Sequence, residues 1–480
     1  MANSVIEQQP LYENMPVGQE IIFVVSNATA VASESKVKFI ARVHISEDFI
    51  PNVNTTTHLV GTFKTTPNNA GVGIFDFRSI LENYVKADNM AATGSSYKTT
   101  ATTVDERHPL HLVDKYSTSD NGFRWFGVQF AVEYLGATDT AGNQDDNIVR
   151  EQDGTQENSI AFSMFNGYLN YEDVLTKDPV NANFGYDLST LELGGSSKTF
   201  LTNAPTTQYA NLEDYGTFSF LQNTGSLSAK VNDIRITYYK NDGTTTSDTI
   251  TKDTANGAFP VNPVVWIGDA NLMLLYIGAF PANLQNWSST FQGLVTAGTI
   301  QGGYYTVETR DSTPTVTSKT YRINVNCPDG RGYESIRLCW LNKWGAWDYY
   351  TFTKKSVKSL STQGTTYQQL GGTWNESVYR IDGHKGGKKA FRVNATERIR
   401  VNTDFVSESE NVMFEELINS PEIYLLSGYQ ADGSNSLLNQ YVTPVRLTTS
   451  SFTRKTIAND KLLQYTFEIE KSKTLRTQSV

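Results

Sequence analysis

At 480 residues the chain is longer than one compact core organises, and at roughly 150 residues per domain it divides into about three. Its 40 Lys and Arg stand against 50 Asp and Glu, a net charge of -10, which argues against a protein that coats nucleic acid through clustered cations. Charged residues reach only 19% while aromatics reach 12%, so the chain is too aromatic for disorder and its polar surface is largely uncharged.

Strand patterns begin at Gln19 to Ser26 and Val37 to Ser46. In the second run Val37, Phe39, Ala41, Val43 and Ile45 share one face at period two, which leaves His44 on the opposite face as an exposed polar residue. Leu59 to Thr66 follows, then the turn Pro67-Asn68-Asn69 and GVGIFDFRSILENYV, where Asp76 caps a short helix burying Ile80, Leu81, Tyr84 and Val85. Phe123 to Leu135 alternates strictly, with Phe126, Val128, Phe130, Val132 and Tyr134 on one side. The stretch from Gly136 to Ser159, with Asp139, Asp145, Asp146, Glu151, Asp153 and Glu157, reads as a long solvated acidic loop.

The same grammar continues through Tyr215 to Leu221 and Val231 to Lys240, where Asn241-Asp242-Gly243 predicts a tight hairpin into Thr244 to Thr251. Tyr304 to Arg310, Ser318 to Asn326, Ser335 to Leu341 and Ala346 to Lys354 are further strands, the last two joined by Asn342-Lys343-Trp344-Gly345. One helix stands out: Ser407 and Glu410 form a capping-box pair ahead of Val412, Phe414, Leu417 and Ile418. Strands resume at Glu422 to Leu426, Gln440 to Leu447 and Leu462 to Lys471. The expectation is an all-β chain with few short helices, built as two or three β-sandwich-like domains in series. The domains are placed at 1–200, at 201–360 ending in an aromatic hairpin, and at 361–480. The pattern of residues 19–46 returns at 215–240, which suits either a duplicated module or any antiparallel sheet.

The N-terminal residues show no basic and apolar signal-peptide regions, and the longest apolar stretch, Leu272 to Phe280, is far short of the about 20 residues of a membrane helix. Cys327 and Cys339 are no disulfide framework; two reduced, buried thiols are expected over a pair. Motifs for chemistry fail in turn. His108 and His111 lack a third ligand nearby. The loop Gly383-His384-Lys385-Gly386-Gly387-Lys388-Lys389 misses phosphate-loop spacing and reads as a basic hairpin tip, with anion or partner contact as the alternative. Asp145 to Asp153 lacks EF-hand order, although an irregular calcium site is left open. No nucleophile elbow occurs, and sequence spacing cannot test paired carboxylates. No catalytic, cofactor-binding or metal residue is nominated, and no cofactor is expected; were there turnover, the carboxylates after Gly136 and Asp348 would be the first to test.

Trp340, Trp344, Trp347, Tyr349, Tyr350 and Phe352 crowd one hairpin. Their strict interleaving with aliphatics favours a sandwich core over a sugar-stacking platform.

GVGIFDFRSILENYV, FSMFNGYLNYEDVL, FLTNAPTTQYANLEDYGTFSFL, IRLCWLNKWGAWDYYTFTKKS and the C-terminal YVTPVRLTTSSFTRKTIANDKLLQYTFEIEKSKTLRTQ together resemble structural proteins of tailed bacteriophages, of the type found in phages of Bacteroidetes and aquatic bacteria. The resemblance covers most of the chain from about residue 70, and it transfers no functional residue. It implies a virion component of the tail or baseplate, made in the host cytoplasm; the failed motif search adds the expectation that it is not an enzyme, and the uncharged, aromatic-rich composition that it forms a homo-oligomer docking other virion proteins. The acidic loop 136–158 and the basic stretch Lys385 to Arg400 would meet across a subunit boundary or remain solvated tips. The alternative is a tail fibre or spike that binds or degrades a host surface glycan. Neither reading involves nucleic acid or membrane insertion.

Overall fold

The computed structural model describes residues 4–47, 51–88, 110, 115–119, 121–135, 148–150, 157–178, 183–222, 231–251, 273–327, 332–427, 442–455 and 463–476. The chain is all-β, with about 46% of the described residues in strands and 11% in helices, arranged in several sheets. It forms two compact units. The first takes Met1–Cys327 and then Leu341–Asp348, and the second takes the described remainder.

In the first unit, a three-stranded sheet (Val5–Gln8, Ile22–Ser26, Val72–Asp76) and a larger one share a core. The larger sheet runs Asn14–Pro16, Phe162–Phe165, Phe123–Leu135, Ser35–Ser46, Leu59–Thr65. The shared cluster collects the period-two faces read from the sequence: Val37, Phe39, Ala41, Val43 and Ile45 from one strand, and Phe126, Val128, Phe130 and Val132 from its antiparallel neighbour. Phe23 of the small sheet meets Phe77, Phe130 and Phe162 at 5.7, 5.5 and 5.7 Å, and such ring pairs add about 0.5–1.5 kcal/mol each beyond their buried area. This is a sandwich because each sheet has one apolar face and the two faces cover each other.

His44 departs from expectation. It is buried, with Nε2 2.9 Å from the Thr55 carbonyl oxygen. The outer face of its strand is covered locally, and that burial lowers the imidazole pKa. Tyr84 is also a correction, being exposed, whereas Leu81 and Val85 are in the core. Asp76 does serve the short helix, accepting from the backbone N–H of Arg78 at 3.0 Å.

A five-stranded sheet (Thr207–Ala210, Tyr321–Val325, Tyr304–Arg310, Asp233–Tyr239, Thr245–Thr251) follows in the same unit. The hairpin turns at Gly243, whose φ of +83° suits a residue without a side chain. Two helices absent from the sequence reading, Pro281–Trp287 and Ser289–Thr296, follow the apolar strand Leu274–Gly278. Pro281 stands at the first helical turn, and the Ser288 hydroxyl accepts from Phe291 N–H at 2.8 Å. Phe291 then packs on Tyr238 and Tyr305 of the sheet at 5.4 and 6.0 Å.

The second unit is built on one sheet, ordered Trp347–Phe352, Ile336–Leu341, Ile423–Leu426, Val442–Leu447, Thr466–Lys471, Gly387–Asn402, Val357–Gln369, with Leu475–Arg476 also beside Gly387–Asn402. The helix Asn411–Asn419, entered by a 3-10 turn at Glu408–Glu410, lays Phe414 against Tyr350, Tyr465 and Phe467 at 5.0, 5.6 and 5.6 Å. Val412 points outward, contrary to the sequence reading, because Met413, Phe414 and Leu417 make the buried stripe.

Candidate interaction arm

The longest strand among the described residues, Gly387–Asn402, forms a hairpin with Val357–Gln369. They pair antiparallel from Val357↔Arg400 to Gln369↔Gly387, with a bulge at Phe391, where the register slips between Thr365 and Thr366. Residues 398–402 of the second strand pair with Thr466–Lys471, and Asn394 and Ala395 pair with Leu475–Arg476. Beyond that, 366–369 and 387–390 pair only with each other among the described residues. At about 3.3 Å per residue the ribbon is roughly 40 Å long. From Val357 to Thr366 every side chain is exposed, so both faces of the edge strand meet solvent.

The tip is internally bonded. Thr373 N–H donates to the Arg380 carbonyl at 3.1 Å, the Thr373 hydroxyl donates to the Val378 carbonyl at 3.1 Å, and Asp382 N–H donates to the Gly371 carbonyl at 3.0 Å. Gly372 faces Ile381 in an isolated antiparallel bridge, and a Cβ on Gly372 would lie 2.2 Å from the Arg380 oxygen. Only glycine lets the two sides close. On this ordered loop Trp374 and Ile381 stand 82% and 81% exposed, joined by Leu370, Val378 and Tyr379. Full burial of an apolar side chain of this size yields about 1.5–3 kcal/mol, which the isolated chain forgoes at each of these positions. Contiguous exposed apolar groups on an ordered element mark an interaction surface, and a rigid aromatic is the usual anchor in one.

The charge of the arm is opposite to that of the chain. Between 357 and 402 lie eight Lys and Arg and three Asp and Glu, a net of +5; with -10 overall, all other residues carry -15. Lys358 pairs with Glu334 at 2.7 Å and Lys385 with Asp382 at 2.8 Å, the latter drawing the Asp382 pKa down. Arg398 and Arg400 face Glu468 and Glu470 across the strand pair. Lys388, Lys389 and Arg392 have no carboxylate partner among the described residues.

The loop 383–389 therefore does sit at a hairpin tip, where Gly386 and Gly387 hold φ of +93° and +79°. The other sequence candidates converge on nothing. Trp340, Trp347, Tyr349 and Phe352 are buried and offer no platform for a sugar. Asp348 is fully enclosed: the Thr202 hydroxyl donates to it, and burial raises its pKa to about 6. It is a buried carboxyl, 2% exposed. Both cysteines are free; Cys339 is buried, its thiol pKa pushed up by desolvation, whereas Cys327 is exposed, contrary to expectation, because its strand ends at Val325. His108, His111 and the carboxylates Asp139, Asp145, Asp146, Glu151 and Asp153 lie outside the described residues. Among the described residues no three His, Cys, Asp or Glu gather as metal ligands would, and no helix is long and apolar enough to cross a membrane.

The edge strand escapes periodicity because neither of its faces is buried, so no apolar alternation is written into VKSLSTQGTTYQQ, and the return strand buries only Ala395, Ile399 and Val401 at its far end. The signals present were β-favouring Thr and Tyr and the glycine pairs at 371–372 and 386–387.

No family model matches the chain, and no curated protein matches it in sequence. Among solved structures, the native conformation of E. coli alpha-2-macroglobulin aligns with 83% of this chain at 8% identity and a TM-score of 0.16, too low to carry an argument. The chain corresponds to only 22% of that protein's length.

Proposed function

We propose that this protein is a structural subunit of a tailed-phage virion, in the tail or baseplate, and that it acts by assembly and not by catalysis. The observation that carries the assembly reading is the arm: a ribbon whose edge strand is solvated on both faces and which ends in an ordered loop that displays Trp374, Tyr379 and Ile381. The tip lies outside the core of its own unit, to which the arm contributes only through Ala395, Ile399 and Val401 of the return strand, so its exposed apolar side chains are accounted for by a partner. The virion setting rests on the sequence resemblance alone. Uncharged, Tyr-rich surfaces suit the wet, broad interfaces of such a shell, since few charges are desolvated on docking.

The test is to follow this chain in purified particles by mass spectrometry and immunogold labelling, using the wild type and a chain in which residues 370–386 are replaced by Asn-Gly. The paired ends Gln369 and Gly387 are already in register for that two-residue turn. The expected result is stoichiometric wild type at the tail and strong depletion of the loop-replaced chain. Absence of the wild type from particles, or equal incorporation of both chains, removes the reading.

A further inference from the structure

Resting on the assembly reading, we infer that the arm's partner is a second copy of this chain, and that the contact is heterologous: the arm of one copy seats on the net-negative remainder of the next. The argument starts from sign. The arm carries +5 and all the rest of the chain -15, so two arms laid side by side repel, while an arm and the remainder of another copy attract. A twofold, arm-to-arm dimer would bring Lys388, Lys389 and Arg392 of both copies together with no carboxylate of the arm free to offset them. Asp382 is held by Lys385 at 2.8 Å, Glu376 lies by Arg380 at 3.8 Å, and Glu397 is paired with Lys471 at 2.8 Å.

The division of labour within the arm follows. Trp374, Tyr379 and Ile381 are preorganised by the bonds of Thr373 and Asp382, and so lose little conformational freedom on docking. Lys388, Lys389 and Arg392 of the return strand, which have no carboxylate partner among the described residues, select negative charge and fix register. Because donor and acceptor surfaces differ, the contact propagates head to tail and closes into a ring where the rotation allows.

The purified full-length chain is examined by analytical ultracentrifugation at roughly 100 μM, above the μM dissociation constants of weak specific interfaces. The expected species is larger than a dimer, its association weakened roughly tenfold or more between about 50 and about 500 mM salt. Trp374→Ala with Ile381→Ala, and separately Lys388→Glu with Lys389→Glu, are each expected to return it to monomer with thermal unfolding unchanged. A tagged chain with 370–386 replaced by Asn-Gly keeps the acceptor surface, so it is expected to retain untagged wild type, which an arm-to-arm dimer forbids. A wild type that is monomeric, an oligomer indifferent to the arm, or a tagged loop-replaced chain that retains no wild type overturns the inference. If the wild type is monomeric and yet the loop-replaced chain is lost from particles, the partner is another virion protein and the assembly reading stands. If both chains enter particles equally, the assembly reading falls with it.

Discussion

Two buried residues carry measurable consequences of their surroundings. Asp348 sits with a pKa raised to about 6 because burial disfavours its charged form. The folded state therefore binds the proton more tightly than the unfolded chain, whose carboxyl titrates near 4. Its contribution is fully present below about pH 4 and is lost as pH rises to about 6. Thermal unfolding of Asp348→Asn is thus expected to improve relative to wild type as pH goes from 4 to 7; a pH-independent difference would sink the idea. Gly345, in the turn before Ala346, has φ of +72°, and a Cβ there would lie 2.3 Å from the Asn166 carbonyl oxygen. Gly345→Ala is expected to cost at least about 1–2 kcal/mol from the left-handed backbone alone, read as a lower urea midpoint with unchanged slope.

At the scale of elements, the helix entry at Ser407 is held by one carboxylate: Glu410 Oε2 accepts from Ser407 N–H at 2.7 Å and from its hydroxyl at 3.0 Å. Removing it leaves both donors without that partner, so Glu410→Ala is expected to destabilise the second unit by about 1 kcal/mol, more than Ser407→Ala. Equal effects in urea titrations would contradict this. The Ser–Glu pair was visible in the sequence, as were Ser35–Ser46 and Phe123–Leu135, because caps and one-sided burial leave local marks. The helices Pro281–Trp287 and Ser289–Thr296 left only Pro281 and Ser288 as marks, behind an apolar run, Leu272 to Phe280, whose length excluded only a membrane helix. His44 was misplaced because alternation tells which residues share a face, and not whether the other face is covered. The arm was illegible for the complementary reason: an edge strand wet on both sides has no apolar period, and the exposed Trp374 and Ile381 lie in a loop where no periodicity applies.

For the whole molecule, the arm makes assembly readable by protease. Arg380 and Lys385 lie in the exposed tip, so trypsin is expected to cut there in the isolated chain, with both sites protected in assembled material; equal cleavage in the two states would count against arm docking. The division into units has another consequence, because the first is not contiguous. Residues 341–348 supply it with bonds: Tyr168 N–H donates to the Lys343 carbonyl at 2.9 Å, Asn342 donates to the Leu201 carbonyl at 2.9 Å, and Trp347 donates to the Asp88 carbonyl at 3.1 Å. On the ribosome these residues are made about one to four seconds after Cys327, at about 5–20 residues per second. Until then the nascent first unit lacks Trp347 and Asp348 from its interior.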